Sequence, residues 1–209
     1  MLYALFVLLL AFFGGFSIMS IEMLGGRILA PYFGSSIYVW GSIITIFMVA
    51  LSIGYLIGGQ LSLVKPSLRK FGGLFLICSA AVTPMVIFAE PVMELVFEYF
   101  WEDPRYGSLL AATGLFFIPT VAMGIISPYA VRLLVQNAHH SGSVAGRLYF
   151  VSTAGSAAGV LMTSFYFVLW FEVNTILYML AGILAVCGIS AVTVGVLLGR
   201  RALAVGAEA

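Results

Sequence analysis

Apolar residues fall along this chain in six long blocks, at 2–24, 37–63, 71–89, 108–135, 148–171 and 175–198, separated by short connectors that collect glycine, proline and charge. A helix rises about 1.5 Å per residue and satisfies its own backbone polar groups, so about 20 apolar residues cross a hydrocarbon layer of ~30 Å. The pattern predicts an all-α, polytopic membrane protein with six transmembrane helices in one domain covering 1–209. A different periodicity follows the third block. In EPVMELVFEYFWED, Glu90, Glu94, Glu98 and Glu102 recur every fourth position, while Val92, Leu95, Val96, Phe100 and Trp101 fill the rest. Such a stripe predicts an amphipathic helix over 90–103 that lies on the outer membrane face or caps the bundle. Its acidic edge reads as solvated, with a lure for polycations as the other use.

Composition agrees with lipid as the solvent. Hydrophobic residues make up 63% of the chain, charged residues 8%, and the mean hydropathy is +1.16. That is too little charge to coat a soluble surface. A formal net charge of +1 gives no field to attract nucleic acid, and none is expected as a partner. Cys78 and Cys187 sit inside apolar runs, too few for a zinc site and too deep for a disulfide framework. No nucleophile elbow, dinucleotide fingerprint, zincin or phosphate-loop motif occurs, so no catalytic residue, cofactor or metal is expected. The first block opens MLYALF without a positive flank and leads to Glu22 and two glycines, so it reads as a retained helix and not as a cleaved signal.

Lys65, Arg69 and Lys70, then Arg132 and Arg147, then Arg200 and Arg201 fall at one side of a six-span thread; the acidic segment and Glu172 fall at the other, with Arg27 and Arg105. Cations retained in cytoplasmic loops place both termini in the cytoplasm of a cell whose inner or plasma membrane holds the chain. Six spans divide into two sets of three, and an odd set must repeat inverted. The expected architecture is a 3+3 inverted repeat, the building unit of half a major facilitator transporter, and a half needs a homodimer to enclose a path. Gly54 and Gly58 in the second block and Gly155 and Gly159 in the fifth, the middle helix of each triplet, let backbones approach.

Among polar residues, Glu22 stands out, because a carboxylate within a membrane helix costs about 3 kcal/mol and faces a partner or a cavity. A neutral or interfacially hydrated acid is the alternative. Arg27, five positions on, falls about 140° around the helix, so the two cannot pair on one regular helix. Either the backbone bends there, as Gly25, Gly26 and Pro31 would allow, or each has another partner. Tyr38 and Trp40, with Tyr32, suit an organic cation through ring contact or simply belong to the interfacial aromatic belt. Pro119, Gly124 and Pro128 interrupt the fourth block, as in discontinuous transporter helices. Arg132 and Arg147 flank the loop QNAHHSGSVAG and either clamp it, bind an anion or reach lipid phosphates; His139 and His140 in that loop read as solvated.

Two stretches resemble the membrane domain of the spermidine synthase-like membrane proteins, the fused major facilitator/spermidine synthase family. One is Glu22, MLGG, then RILAPYFGSSIYVWG; the other is GIISPYAVRLL followed by AGRLYFVSTAGSAAG. The resemblance marks Glu22, Arg27, Pro31, Trp40, Ser127, Pro128, Arg132, Arg147 and Tyr149. It implies a partner: in that family the membrane part is commonly joined to a Rossmann-like domain resembling aminopropyltransferases, which use decarboxylated S-adenosylmethionine and a diamine. This chain ends at Ala209, so the expectation is a stand-alone membrane bundle that moves a polyamine or similar small cation, or docks a soluble aminopropyltransferase-like subunit. The candidate substrate-binding residues are Glu22, Arg27, Tyr38, Trp40, Ser127, Arg132, Arg147 and Tyr149, with Glu22 as the cation-facing carboxylate. A homodimeric carrier of another solute, or a ligand-free structural bundle, would use the same helices.

Overall fold

The structure, a computed structural model, describes residues 2–99, 103–135 and 141–207. They form helices α1 (Leu2–Phe33), α2 (Ile37–Leu61), α3 (Leu68–Tyr99), α4 (Pro104–Gly124), α5 (Ile126–Leu134), α6 (Ser141–Met162), a π-helical turn (Thr163–Phe167), α7 (Val168–Trp170) and α8 (Val173–Ala207). No strand occurs among the described residues. Six stretches are long and apolar enough to cross a bilayer: α1, α2, most of α3, α4 with α5, α6 through α7, and most of α8. The chain is thus an all-α, multi-pass membrane protein.

Two helices run further than the apolar blocks suggest. The backbone of α1 stays helical through Gly25, Gly26 and Pro31 and stops only at Gly34, whose φ of +74° suits glycine and whose N–H bonds the Ala30 carbonyl at 2.9 Å. The helix does not break at the two glycines, which serve packing: the Phe116 ring lies against Gly25 and the Trp40 indole against Gly26. Helix α3 likewise continues past Pro91 to Tyr99. Residues 90–99 therefore do not form a separate surface helix. Met93 and Val96 are buried, and Phe97 meets Tyr32 and Phe33 edge-on, holding the segment upright against the end of α1 while Glu90, Glu94 and Glu98 face outward. A helix of 32 residues reaches about 48 Å, beyond a core of ~30 Å, so this end can carry charge outside the hydrocarbon. Phe100, Trp101 and Glu102 lie outside the described residues.

The fourth span is broken, as its Gly and Pro pattern predicts. Pro128 has no N–H for the Gly124 carbonyl, and the chain passes from α4 to α5 at Ile125. Tyr129 then fixes α5. Its ring is fully buried and stacked on Phe71 (5.7 Å, 7°), and its hydroxyl accepts from the Ser67 N–H at 3.1 Å.

Three helix pairs carry the closest packing: α1 with α6, α2 with α4, and α3 with α8. In each, glycine brings backbones together. A Cβ on Gly155 or Gly159 would strike the Phe12 or Phe16 carbonyl, and one on Gly15 the Ser152 carbonyl. The second pair repeats this. Gly54 and Gly58 stand against the Val121 and Ile125 carbonyls, and Gly124 against that of Leu51. Phe12, Gly15 and Phe16 thus correspond to Val121, Gly124 and Ile125, and Leu51, Gly54 and Gly58 to Ser152, Gly155 and Gly159, with one constant sequence offset per helix. In the third pair Gly72 and Gly188 face each other, and the helices run antiparallel.

Substituting Gly54 or Gly155 with Ala should lower stability in detergent by about 1–3 kcal/mol, the cost of forcing a methyl into a packed core. Gly146→Ala, where nothing lies within 4 Å, should stay within about 0.5 kcal/mol. Denaturant titration followed by circular dichroism checks both. Equal effects at the three positions would refute the close approach.

Candidate functional site

Of the clefts that hold polar groups, one of about 350 Å³ is lined in part by Arg27, Tyr32, Glu90 and Asn174, and two others have α6 or the π-helical turn in their walls. The first, about 390 Å³, lies between α2, the start of α5 and α6. Its walls carry the hydroxyls of Tyr55, Ser127, Tyr149, Ser152, Thr153 and Ser156, together with Pro128. Among the described residues no charged side chain lines it. The α4–α5 break places Ser127 and Pro128 there, and the helical repeat of α6 brings Tyr149, Ser152, Thr153 and Ser156 to one side at steps of three and four. Hydroxyls both donate and accept, so this wall can bind a polar organic group without imposing a sign of charge.

The second cleft, about 380 Å³, lies between α1, the start of α2 and the π-helical turn. Arg27, Trp40, Thr163 and Ser164 supply its polar and aromatic atoms, and Met23, Gly26, Ala30 and Val168 most of its apolar wall. Gly26 is required for this shape: an added Cβ would stand 2.7 Å from Trp40 Cζ2. Arg27 is exposed, and its Nη1 donates to the Val168 carbonyl at 3.2 Å. So Arg27 finds a partner across the bundle on the fifth span, and Glu22 does not take that place.

Glu22 is half-buried and has no hydrogen bond or ion pair among the described residues. Gly15, Glu22 and Gly26 fall within about 40° of one another around α1. Gly15 packs on Ser152 and Ser156 of the first cleft's wall, and Gly26 packs on Trp40 of the second. The carboxylate therefore occupies the stripe of α1 that runs from one cleft to the other.

The remaining candidates divide among other places. Tyr38 belongs with Arg105: the guanidinium carbon lies 4.8 Å over its ring, and Arg105 Nη2 donates to the Tyr38 hydroxyl at 3.4 Å. That pair sits beside Asp103, which caps α4 by accepting from the Arg105 N–H at 2.8 Å. Tyr38 and Trp40 thus face different neighbours, each with an arginine. Arg132 and Arg147 are both exposed, on α5 and α6 at the ends of the loop they flank; His139 and His140 lie outside the described residues. Among the described residues no group of three or more His, Cys, Asp or Glu side chains is placed to hold a metal ion. The sequence reading missed Tyr55, Ser152, Thr153, Ser156, Thr163 and Ser164. Apart from Tyr55 on α2, their signal was the fifth span itself, the least apolar of the six with a mean hydropathy of 1.3. Comparison of the chain with protein-family models, with curated proteins and with solved structures found no match.

If the first cleft admits water, cysteine placed at Thr153 should react with a small, water-soluble thiol reagent in proteoliposomes, whereas cysteine at Leu169, an exposed apolar position, should not. The native Cys78 and Cys187 are buried and should give little background. Equal labelling at both positions would remove the distinction between cleft and lipid face.

Proposed function

We propose that this chain binds and moves small organic cations of the polyamine class, as a six-span half-facilitator that works with a second copy of itself. One observation carries the reading. A hydroxyl-lined cleft with no cationic side chain among its described lining residues lies beside a stripe of α1 that presents Glu22, a carboxylate with no partner among the described residues. Ammonium groups donate hydrogen bonds only, and the hydroxyl oxygens of Tyr55, Ser127, Tyr149 and Ser152 accept them. A carboxylate without an internal counter-ion in a membrane helix is best accounted for by a cation that comes and goes.

The matched glycine contacts support the inverted repeat. An exchange of spans one, two and three for spans four, five and six carries the α1·α6 pair onto α4·α2 and the α3·α8 pair onto itself. That is the relation expected of two three-span units around a pseudo-twofold axis in the membrane plane. The cations at the ends of α2, α5 and α8 favour that end as the cytoplasmic one, with both termini there. The resemblance of the Glu22 and Ser127 stretches to spermidine synthase-like membrane proteins points to the same class of solute.

In proteoliposomes, Glu22→Gln should weaken spermidine binding and uptake roughly 10- to 100-fold, the scale of one hydrogen bond to a charged group. Ser152→Ala should weaken it only a few-fold. Unchanged spermidine binding in Glu22→Gln would end the cation reading, and a strictly monomeric mass in detergent would end the two-copy pathway.

A further inference from the structure

The second cleft has the opposite chemistry from the first, and the cation reading makes no use of it. Its most unusual element is the π-helical turn. A π turn inserts a residue into the helical ladder and is common at functional positions. Here it shifts the fifth span so that the Val168 carbonyl meets Arg27, and it leaves two hydroxyls unused. Thr163 is wholly buried, and neither its Oγ1 nor the buried Oγ of Ser164 has a hydrogen-bond partner. A threonine in a helix ordinarily donates to the carbonyl four residues back. That carbonyl, on Gly159, accepts instead from Ser20 Oγ at 3.3 Å. An unmade hydrogen bond in this setting is costly, and both residues, with their oxygens buried, line a cleft of about 380 Å³ that also holds a guanidinium with four N–H groups beyond the one given to Val168.

We propose that this cleft is a binding site for an oxyanion, a phosphate or carboxylate group carried on an apolar body. Arg27 supplies the charge and a forked pair of donors, matched to two oxygens of such a group. The Thr163 and Ser164 hydroxyls donate to the same group from the π turn. Trp40, Met23 and Ala30 form the wall for the apolar part. The site is separate from the proposed cation site: it lies on the other side of Glu22 along α1, and no carboxylate is among its described lining residues, Glu90 lining instead the neighbouring cleft that Arg27 also borders. The same chemistry is offered by the phosphate of a phospholipid headgroup and by a soluble phosphate, and the experiment tells them apart.

The test uses the full chain, purified in dodecyl maltoside and stripped of bound lipid, with thermal unfolding followed on wild type, Arg27→Gln and Thr163→Val. Each is measured with no addition, with dioleoyl phosphatidylglycerol, and with inorganic phosphate against potassium chloride at equal ionic strength. A ligand that binds only the folded state raises the Tm. We expect a rise of several degrees in wild type, lost in Arg27→Gln and reduced in Thr163→Val. A rise with phosphatidylglycerol alone assigns the site to a lipid headgroup; a rise with phosphate as well assigns it to soluble anions. Without ligand, Thr163→Val should leave the Tm unchanged or raise it, because its hydroxyl has no partner to lose. No rise with either anion overturns the proposal, leaving a cleft filled by water. An equal rise in wild type and Thr163→Val overturns it too, since that is charge attraction at the surface. Thr163→Val keeps near-identical shape and so preserves the test should Arg27→Gln fail to fold.

Discussion

Helices already in lipid gain nothing by hiding apolar side chains from one another, since the lipid is as apolar as they are; what holds them is close contact. In this bundle that contact is made at glycines that stand against carbonyl oxygens of the facing helix. Gly155 and Gly159 bring α6 onto Phe12 and Phe16 of α1, and Gly54, Gly58 and Gly124 bring α2 onto the fourth span in the same register. The rest of the architecture depends on these approaches. They set which side chains are left between the pairs, and so where polar atoms can lie without facing lipid.

The polar residues lie in what is left. Ser152 and Ser156 point along the same α6 face as Gly155 and Gly159 and therefore reach the cleft beside α5. Thr163 and Ser164, neighbours in sequence, follow about one turn after Gly159, where the π turn sets them in the cleft that holds Arg27. Glycine supplies the approach and hydroxyls supply the chemistry on one helix, which explains why the fifth span is the least apolar. The charged groups are sparse and kept apart. Arg27 leans on a backbone carbonyl, Arg105 on the Tyr38 ring, and Glu22 on nothing within the described residues.

Much of this was legible in the amino-acid sequence, because membrane spans are set by length and apolarity alone. All six blocks became spans, and the Gly124–Pro128 interruption became the α4–α5 break, since a missing N–H has a fixed local consequence. The ends of α1 and α3 were not legible. Gly25, Gly26 and Pro91 carry the same local signal as a helix stop, and only packing against Phe116, Trp40 and the α1 end decides otherwise. The site was half legible for the same reason. Glu22, Arg27 and Trp40 stood out by type, whereas Ser152, Thr153 and Thr163 are unremarkable in an apolar run until a neighbouring helix shows which face they occupy. Tyr38 and Trp40, two residues apart, point about 160° from each other on a helix, so their separation into different environments follows from spacing that the aromatic pattern alone obscured.

The two clefts share a boundary. Helices α1, α6 and α7 with the π turn form one zipped unit, and α2, α4 and α5 form the other; each cleft has walls from both. The contacts of glycine with facing carbonyls in these pairs lie within each unit, whereas Gly14, Gly25 and Gly26 of α1 meet only side chains, among them those of Ile126, Phe116, Ile43 and Trp40 of the other unit. A rotation of one unit against the other would therefore leave every backbone approach intact while changing both clefts at once. Because Glu22 lies on the stripe of α1 between them, such a rotation would carry the carboxylate with the α1·α6 pair and present it differently to the two sides. The same glycines that hold each pair together thus leave both clefts at the boundary between pairs, where side chains and not backbones meet.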